Sequence, residues 1–276
     1  MLDAHQHFWK VDRGDYGWLT PDLKPLNRDF EPGDLAPLLE RAGIERTVLI
    51  QAAETEAETD FLLAIAAHTE FVAGVVGWAD MLADDFPLRL AHYSAQPKWV
   101  GIRPMLQEHD PSLIGDPRFR AALAKIARRG VPFDILIFPQ HLSAITAAVQ
   151  AVPGLHAILD HISKPDMTRS MDPRWCSEIA DLAAVPGVYC KISGLVTEAG
   201  ADWNIDRIRP FVEFVADAFG PDRLVFGSDW PVCTLAASYE QVLEIARKIL
   251  GDLYGPDEIH AIMETNGQRF YRLQSP

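Results

Sequence analysis

Two histidines, His5 and His7, sit one residue apart in the opening run Met1-Leu-Asp-Ala-His-Gln-His7. Alternate side chains of a β-strand share a face, so both imidazoles point the same way. Far along the chain, Arg223-Leu-Val-Phe-Gly-Ser-Asp229 ends an apolar run on a carboxylate. Two imidazoles and a carboxylate suit a transition-metal site, and they equally suit a general base with polarising partners. They can meet only if the first and last strands are neighbours, as in a closed barrel. Standing alone, the two histidines would read as core residues satisfied by backbone groups. Their place on the first strand, with Asp229 on the last, favours a site.

Three further runs carry polar residues where a strand should be apolar. In Val188-Tyr-Cys-Lys-Ile-Ser-Gly194 one face holds Val188, Cys190 and Ile192, and the other Tyr189, Lys191 and Ser193. The apolar set suits a helix layer, so Lys191 points into the barrel. A buried lysine is costly unless it is paired or functional, and the bland reading is an ion pair with an interior carboxylate. In Trp99-Val-Gly-Ile-Arg103, Arg103 shares a face with Gly101 and is expected at the mouth. Its fork suits a carbonyl, carboxylate or ring oxygen, and the bland reading is a rim arginine in an ion pair. Ile158-Leu-Asp-His161-Ile-Ser-Lys164 offers Asp160 and His161, which cannot both face inward in a regular strand. His161 is the one expected inward, with Asp160 supporting it and Lys164 in the loop beyond. His68, His92, His109, His141, His156 and His260 fall in helices, loops or strand starts and read as incidental.

The elements that must position these groups are legible as eight short apolar runs near 2–7, 46–52, 71–78, 98–104, 132–138, 155–161, 187–194 and 223–229. Most are rich in Val and Ile without alternation, as in parallel strands covered by helices. Between them lie helical patterns, for example Tyr239, Val242, Leu243, Ala246, Ile249 and Leu250 within 239–250, and Phe119, Ala122, Leu123 and Ile126. Gly43, Gly130 and Gly220 stand at expected helix exits. Eight strand–helix alternations in 276 residues predict one (β/α)8 barrel of the α/β class. A doubly wound sheet is disfavoured because no Gly-rich phosphate loop follows the first strand. Residues 8–33, with Phe8, Trp9, Tyr16, Trp18, Phe30 and three prolines, form a long connection expected over the active-site mouth.

The formal net charge is −14 with no basic cluster, which disfavours nucleic acid and anionic membranes as partners. No apolar stretch approaches a membrane span, and the N-terminus does not read as a signal peptide. Three cysteines without paired spacing suit a reduced, cytoplasmic protein. The sequence has no Gly-x-Ser-x-Gly and no Cys-x-x-Cys, so serine-hydrolase and zinc-ribbon readings lack their signatures.

The phrases Asp3-Ala-His-Gln-His-Phe-Trp9, Leu159-Asp-His-Ile-Ser-Lys-Pro165, Tyr189-Cys-Lys-Ile-Ser-Gly-Leu195 and Leu224-Val-Phe-Gly-Ser-Asp-Trp-Pro-Val-Cys233 resemble the amidohydrolase-related family. Within it they resemble the sugar-acid lactonase branch, which includes L-fuconolactonase-like and L-rhamnonolactonase-like enzymes. The resemblance covers nearly the whole chain, and its motifs are more specific for the family than for the substrate. It implies a distorted (β/α)8 barrel spanning 1–276 and hydrolysis of a sugar-acid lactone with Asp229 as base. Asp229, His161 and Lys191 are then the expected catalytic residues, and Arg103, Lys164 and Trp230 the expected substrate contacts. Dinuclear members use a bridging Lys or Glu on strand four. Here that strand offers Arg103, and strand five offers Asp134 without a histidine, which argues against two metals. One zinc ion on His5, His7, His161 and Asp229 fits the pattern, and the branch also contains enzymes that work without metal. The expected partner is a small-molecule substrate, with a homo-oligomer left open. Two alternatives stand beside the lactonase reading: a metal-dependent decarboxylase of an aromatic or unsaturated acid on the same scaffold, and a sugar-acid binding protein without turnover.

Overall fold

The computed structural model describes residues 1–274. Eight strands alternate with helices: β1 (Leu2–Gln6), β2 (Arg46–Ile50), β3 (Val72–Gly77), β4 (Trp99–Ile102), β5 (Phe133–Ile135), β6 (Ala157–Leu159), β7 (Val188–Ile192) and β8 (Leu224–Phe226). Each pairs in parallel with the next in chain order. The ring closes just beyond β8, where Asp229 N donates to His5 O at 2.8 Å and His7 N to Trp230 O at 2.7 Å. This is the single-domain (β/α)8 barrel that the alternation predicts. The strands are shorter than the apolar runs. Arg103, Asp160, Ser193 and Asp229 therefore sit just past their strand ends, where the backbone is free to turn.

The helices follow the expected faces. Pro117–Arg129 buries Phe119, Ala122, Leu123 and Ile126, and Tyr239–Leu253 buries Val242, Leu243, Ala246, Ile249 and Leu250. The latter starts at Ser238, whose hydroxyl accepts from Gln241 N, and runs three residues beyond the expected end. Gly43 and Gly130 end their helices in the left-handed conformation. Gly220 differs: its ψ of 163° leads straight out into Pro221.

The main core lies between strands and helices. A second apolar cluster fills the lower barrel: Leu2, Ala4, Val48, Ile50, Val76, Ile158 and Val225, with Phe270 and Tyr271 against it. Above Ala4 the alternation of β1 breaks. Its register runs Leu2 to Arg46 and Asp3 to Thr47, then Gln6 to Leu49, three steps against two. The extra residue is a bulge. It lets Leu2 and Ala4 join the interior cluster while His5 and His7 also turn inward above them. Asp3 and Gln6 turn outward, to Tyr239 Oη (3.0 Å) and Thr47 Oγ1 (3.1 Å).

The long loop is built on aromatic packing. Trp9 and Phe30 exchange backbone hydrogen bonds, and their rings lie 5.1 Å apart. Trp18 packs edge-on to Trp9, and its indole N–H reaches Ala52 O at the exit of β2. Phe30 packs edge-on to Trp230 at the exit of β8. The loop therefore spans the exits of β1, β2 and β8.

Closure leaves no space at Gly227. A Cβ there would lie 2.5 Å from His5 Cβ. Gly227→Ala is expected to lower stability by about 1–3 kcal/mol, the usual range for overpacking. Urea unfolding measures it, and an unchanged midpoint would show a seam looser than described.

Candidate active site

Lys191 stands on the inward face of β7 with no solvent exposure. Its ammonium lies 2.5 Å from Asp134 Oδ2, 2.9 Å from Asp160 Oδ1 and 3.2 Å from His5 Nδ1. A buried cation is tolerable only with such partners. Asp134 is on β5 and also accepts from Tyr271 Oη at 2.6 Å. Burial pushes the Asp134 carboxyl up. Burial also opposes charge on Asp160, but Lys191, His5 and Arg103 hold that carboxyl well below its usual range.

Arg103 lies one layer up and is 3% exposed. Its guanidinium donates to the backbone and side-chain oxygens of Gln51 and to Asp160 Oδ2 at 3.1 Å. Gln51 Nε2 donates in turn to Ala53 O at 3.3 Å. The buried Glu58 carboxylate accepts from Ala52 N at 2.9 Å and Ala53 N at 2.7 Å. Gln51 and Asp160 engage the Arg103 fork, and its Nη1 lies 3.4 Å from His5 Nε2, at the edge of the imidazole cluster.

Asp160 and His161 both turn to the barrel axis, where the sequence pattern placed only one. The reason is that β6 stops at Leu159. His161, Ile162, Ser163 and Lys164 then take φ values of 53°, 46°, 66° and 49°. Left-handed turns of non-glycine residues are strained. Here Lys164 N donates to His161 O at 2.7 Å and Trp175 Nε1 to Ile162 O at 3.2 Å. Gly194 gives the turn room, since a Cβ there would lie 2.6 Å from His161 Nδ1.

At the top, Asp229 Oδ1 lies 3.3 Å from His7 Nε2, 3.6 Å from His5 Nε2 and 3.8 Å from His161 Nε2. His5 Nε2 and His7 Nε2 are 3.2 Å apart. The second nitrogens are held from behind. His7 Nδ1 meets Ile50 O at 2.8 Å, and His161 Nδ1 meets Ser193 Oγ at 2.9 Å. Asp3 braces the backbone, accepting from His5 N and Ser228 N at 3.1 and 2.8 Å. Burial works against the Asp229 charge, but His161, His7 and His5 outweigh it and hold the carboxyl well below its usual range. Burial lowers His161 to about 4 although Asp229 and Asp160 pull it up.

A family model described as amidohydrolase matches residues 2–273. The chain belongs to the amidohydrolase family. It is 40% identical to an L-fucono-1,5-lactonase of Burkholderia ambifaria, over 100% of this chain and 96% of that one. It is 34% identical to an L-fucono-1,5-lactonase of Burkholderia multivorans, over 100% and 97%. A solved amidohydrolase structure from Burkholderia multivorans with bound Zn has a TM-score of 0.94 at 34% identity, covering 99% of each chain.

In this amidohydrolase the donor atoms of His5, His161 and Asp229 all lie within 4.8 Å of one another. A tetrahedral zinc site with bonds of about 2.0–2.1 Å needs donors about 3.3 Å apart. Asp229 Oδ1 stands 3.6 Å from His5 Nε2 and 3.8 Å from His161 Nε2, near that spacing, while His7 flanks the group of three without joining it. Lys164 is half-buried beside this group, with its ammonium 5.5 Å from the Phe138 ring. Trp230 is 3% exposed and packs on Phe8 and Phe30. His141, read as incidental, is buried and meets His109 O through Nε2 at 3.0 Å.

Gln51, Glu58, Asp3 and Tyr271 carry parts of this network that sequence reading did not assign. Gln51 had a signal, a polar residue closing an apolar run. Tyr271 had none, since it lies outside every strand. Among the described residues Ser193 is the hydrogen-bond partner of His161 Nδ1, and losing such a partner typically weakens activity or metal affinity by 10–100-fold. Ser193→Ala is expected to keep its circular dichroism and lose about tenfold in activity; full activity would show that His161 is oriented without it.

Proposed function

We propose that this amidohydrolase opens a polyhydroxylated sugar-acid lactone, an aldonolactone of the L-fuconolactone kind, by attack of water with Asp229 as general base. The observation that carries this reading is the Asp229 carboxylate, facing three imidazoles at the C-terminal end of the barrel. The likeness to two L-fucono-1,5-lactonases over the whole chain supports the substrate class.

Lactone hydrolysis requires an activated water, stabilised charge on the carbonyl oxygen and a proton for the leaving ring oxygen. Asp229 is held as a carboxylate. It takes the proton from water and returns it to the alkoxide as the ring opens. His161 supplies a polar contact for the carbonyl oxygen. The Ser193 hydroxyl can donate to or accept from its Nδ1, so Nε2 can carry a proton or a lone pair. Lys164 and Arg103 supply positive charge toward the lactone oxygens, Lys164 from the loop after β6 and Arg103 from beside His5. Lys191 acts from beneath by holding His5 and Asp160.

His5, His161 and Asp229, with His7 beside them, would hold one zinc ion, which when bound polarises a carbonyl and makes water more acidic. Among the described residues no helix is long and apolar enough to cross a membrane. Cys176, Cys190 and Cys233 are free thiols, which supports a reducing, cytoplasmic setting.

Purified protein tested against a panel of aldonolactones with a pH indicator should release acid. Asp229→Asn should fold normally and lose about 10²–10⁴-fold in kcat. A variant keeping more than about a tenth of kcat would remove Asp229 from this role. Elemental analysis should find at most one metal ion per chain, and chelation should remove only part of the activity. Two ions per chain, or complete loss reversed by zinc, would contradict the metal assignment.

A further inference from the structure

The floor of the charged network comes from outside the eight strands. After β8 and the helix Tyr239–Leu253, the chain makes helical turns over Pro256–Phe270. Asn266 Nδ2 anchors them, donating to Leu224 O at 2.8 Å and Pro221 O at 2.7 Å. Gly267 allows close approach, since a Cβ there would lie 2.7 Å from Leu2 Cδ2. Phe270 packs on Tyr189, and the Tyr271 ring stands at 90° to Phe270 with centroids 4.9 Å apart. Tyr271 is 2% exposed, and its phenol reaches up to Asp134.

Packing alone does not call for that hydroxyl. A phenyl ring would fill the same space against Phe270 and the interior apolar cluster. The hydroxyl and the Lys191 ammonium both converge on Asp134 Oδ2, while Asp134 Oδ1 has no hydrogen-bond partner among the described residues. Donors on one oxygen fix the rotation of the carboxylate. Without the phenol, Lys191 would be the one described hydrogen-bond partner left to the carboxylate, which could then swing about its Cβ–Cγ bond and carry the ammonium away from its set distance to Asp160 and to His5 Nδ1.

We propose that Tyr271 is a positioning residue for the reaction at the far end of the barrel. Its phenol fixes Asp134, Asp134 fixes Lys191, and Lys191 sets where His5 stands relative to Asp229. The kinetic part of this inference rests on the lactone-opening reading of the site.

Tyr271→Phe tests it. With an aldonolactone, kcat should fall about tenfold while KM stays within about twofold, as for loss of an outer partner of an active-site group. Added to Asp134→Asn, Tyr271→Phe should cause no further loss, because the phenol acts only through that carboxylate. Ile249→Val, buried in the helix Tyr239–Leu253, is the packing control: it should lower Tm and leave kcat unchanged. A structural readout is independent of substrate. In ¹⁵N-histidine spectra, the His5 ring signals, assigned with His5→Gln, should move in Tyr271→Phe and stay in place in Ile249→Val. Wild-type kcat in Tyr271→Phe, a loss confined to KM, or a full further loss on top of Asp134→Asn would overturn the proposal. If no lactone is turned over, the functional reading falls, and unmoved His5 signals would still overturn the positioning role.

Discussion

An ammonium group held out of water near the axis of a barrel constrains everything around it. The cost of burying one unpaired charge is several kcal/mol, a large share of the stability of an ordinary domain. Lys191 is tolerated because Asp134 and Asp160 face it, and Arg103 balances the second carboxylate. Two cations meet two anions, each on a different strand or strand end. Their balance holds only when the strands stand in the register observed. The polar interior is therefore a condition on the fold as well as the base on which His5, His7 and Asp229 rest.

The upper and lower halves of the site are built differently. Below, Lys191, Asp134 and Asp160 are shut off from solvent, with Lys191 hydrogen-bonded to Asp134 at 2.5 Å and ion-paired with Asp160 at 2.9 Å. Above, the three imidazoles stand 3.3 to 3.8 Å from Asp229 Oδ1, with His7, Asp229 and His161 each 3–4% exposed. The rigid lower half leaves the upper donor atoms facing one another without close mutual bonds, a spacing that a bound ion or a reacting molecule can fill. The left-handed turn after β6 belongs to the upper half, and its strain is offset by the contacts of His161 and Ile162.

Much of this was readable from residues. The eight apolar runs located all eight strands, because a buried parallel strand must be apolar on both faces. Alternation placed Lys191 and Ser193 together on the inner face of β7. It failed where the backbone stops being a strand. Nothing in Leu2 to His7 announces a bulge, yet without it Leu2 and Ala4 would face away from the side that holds His5 and His7. At Leu159-Asp-His161 the period-two rule allowed one inward residue, and the left-handed turn admits two. Tyr271 was invisible for a related reason. Its role depends on a helical segment folding back under the barrel, and no local periodicity encodes such a return.

The seam between β1 and the residues after β8 has a further consequence, for the order of events during folding. His7 and Asp229 are 222 positions apart, so their meeting is among the longest-range contacts in the molecule. Such contacts bear a large loop-closure entropy and tend to form late. A chain with seven strands paired can hold most of its helices and core, yet it lacks Asp229 beside its histidines and has an open edge on both β1 and β7. Recovery of catalysis after dilution from denaturant should therefore lag recovery of helix content. In this fold, enzymatic activity serves as a clock for the last stitch of the barrel.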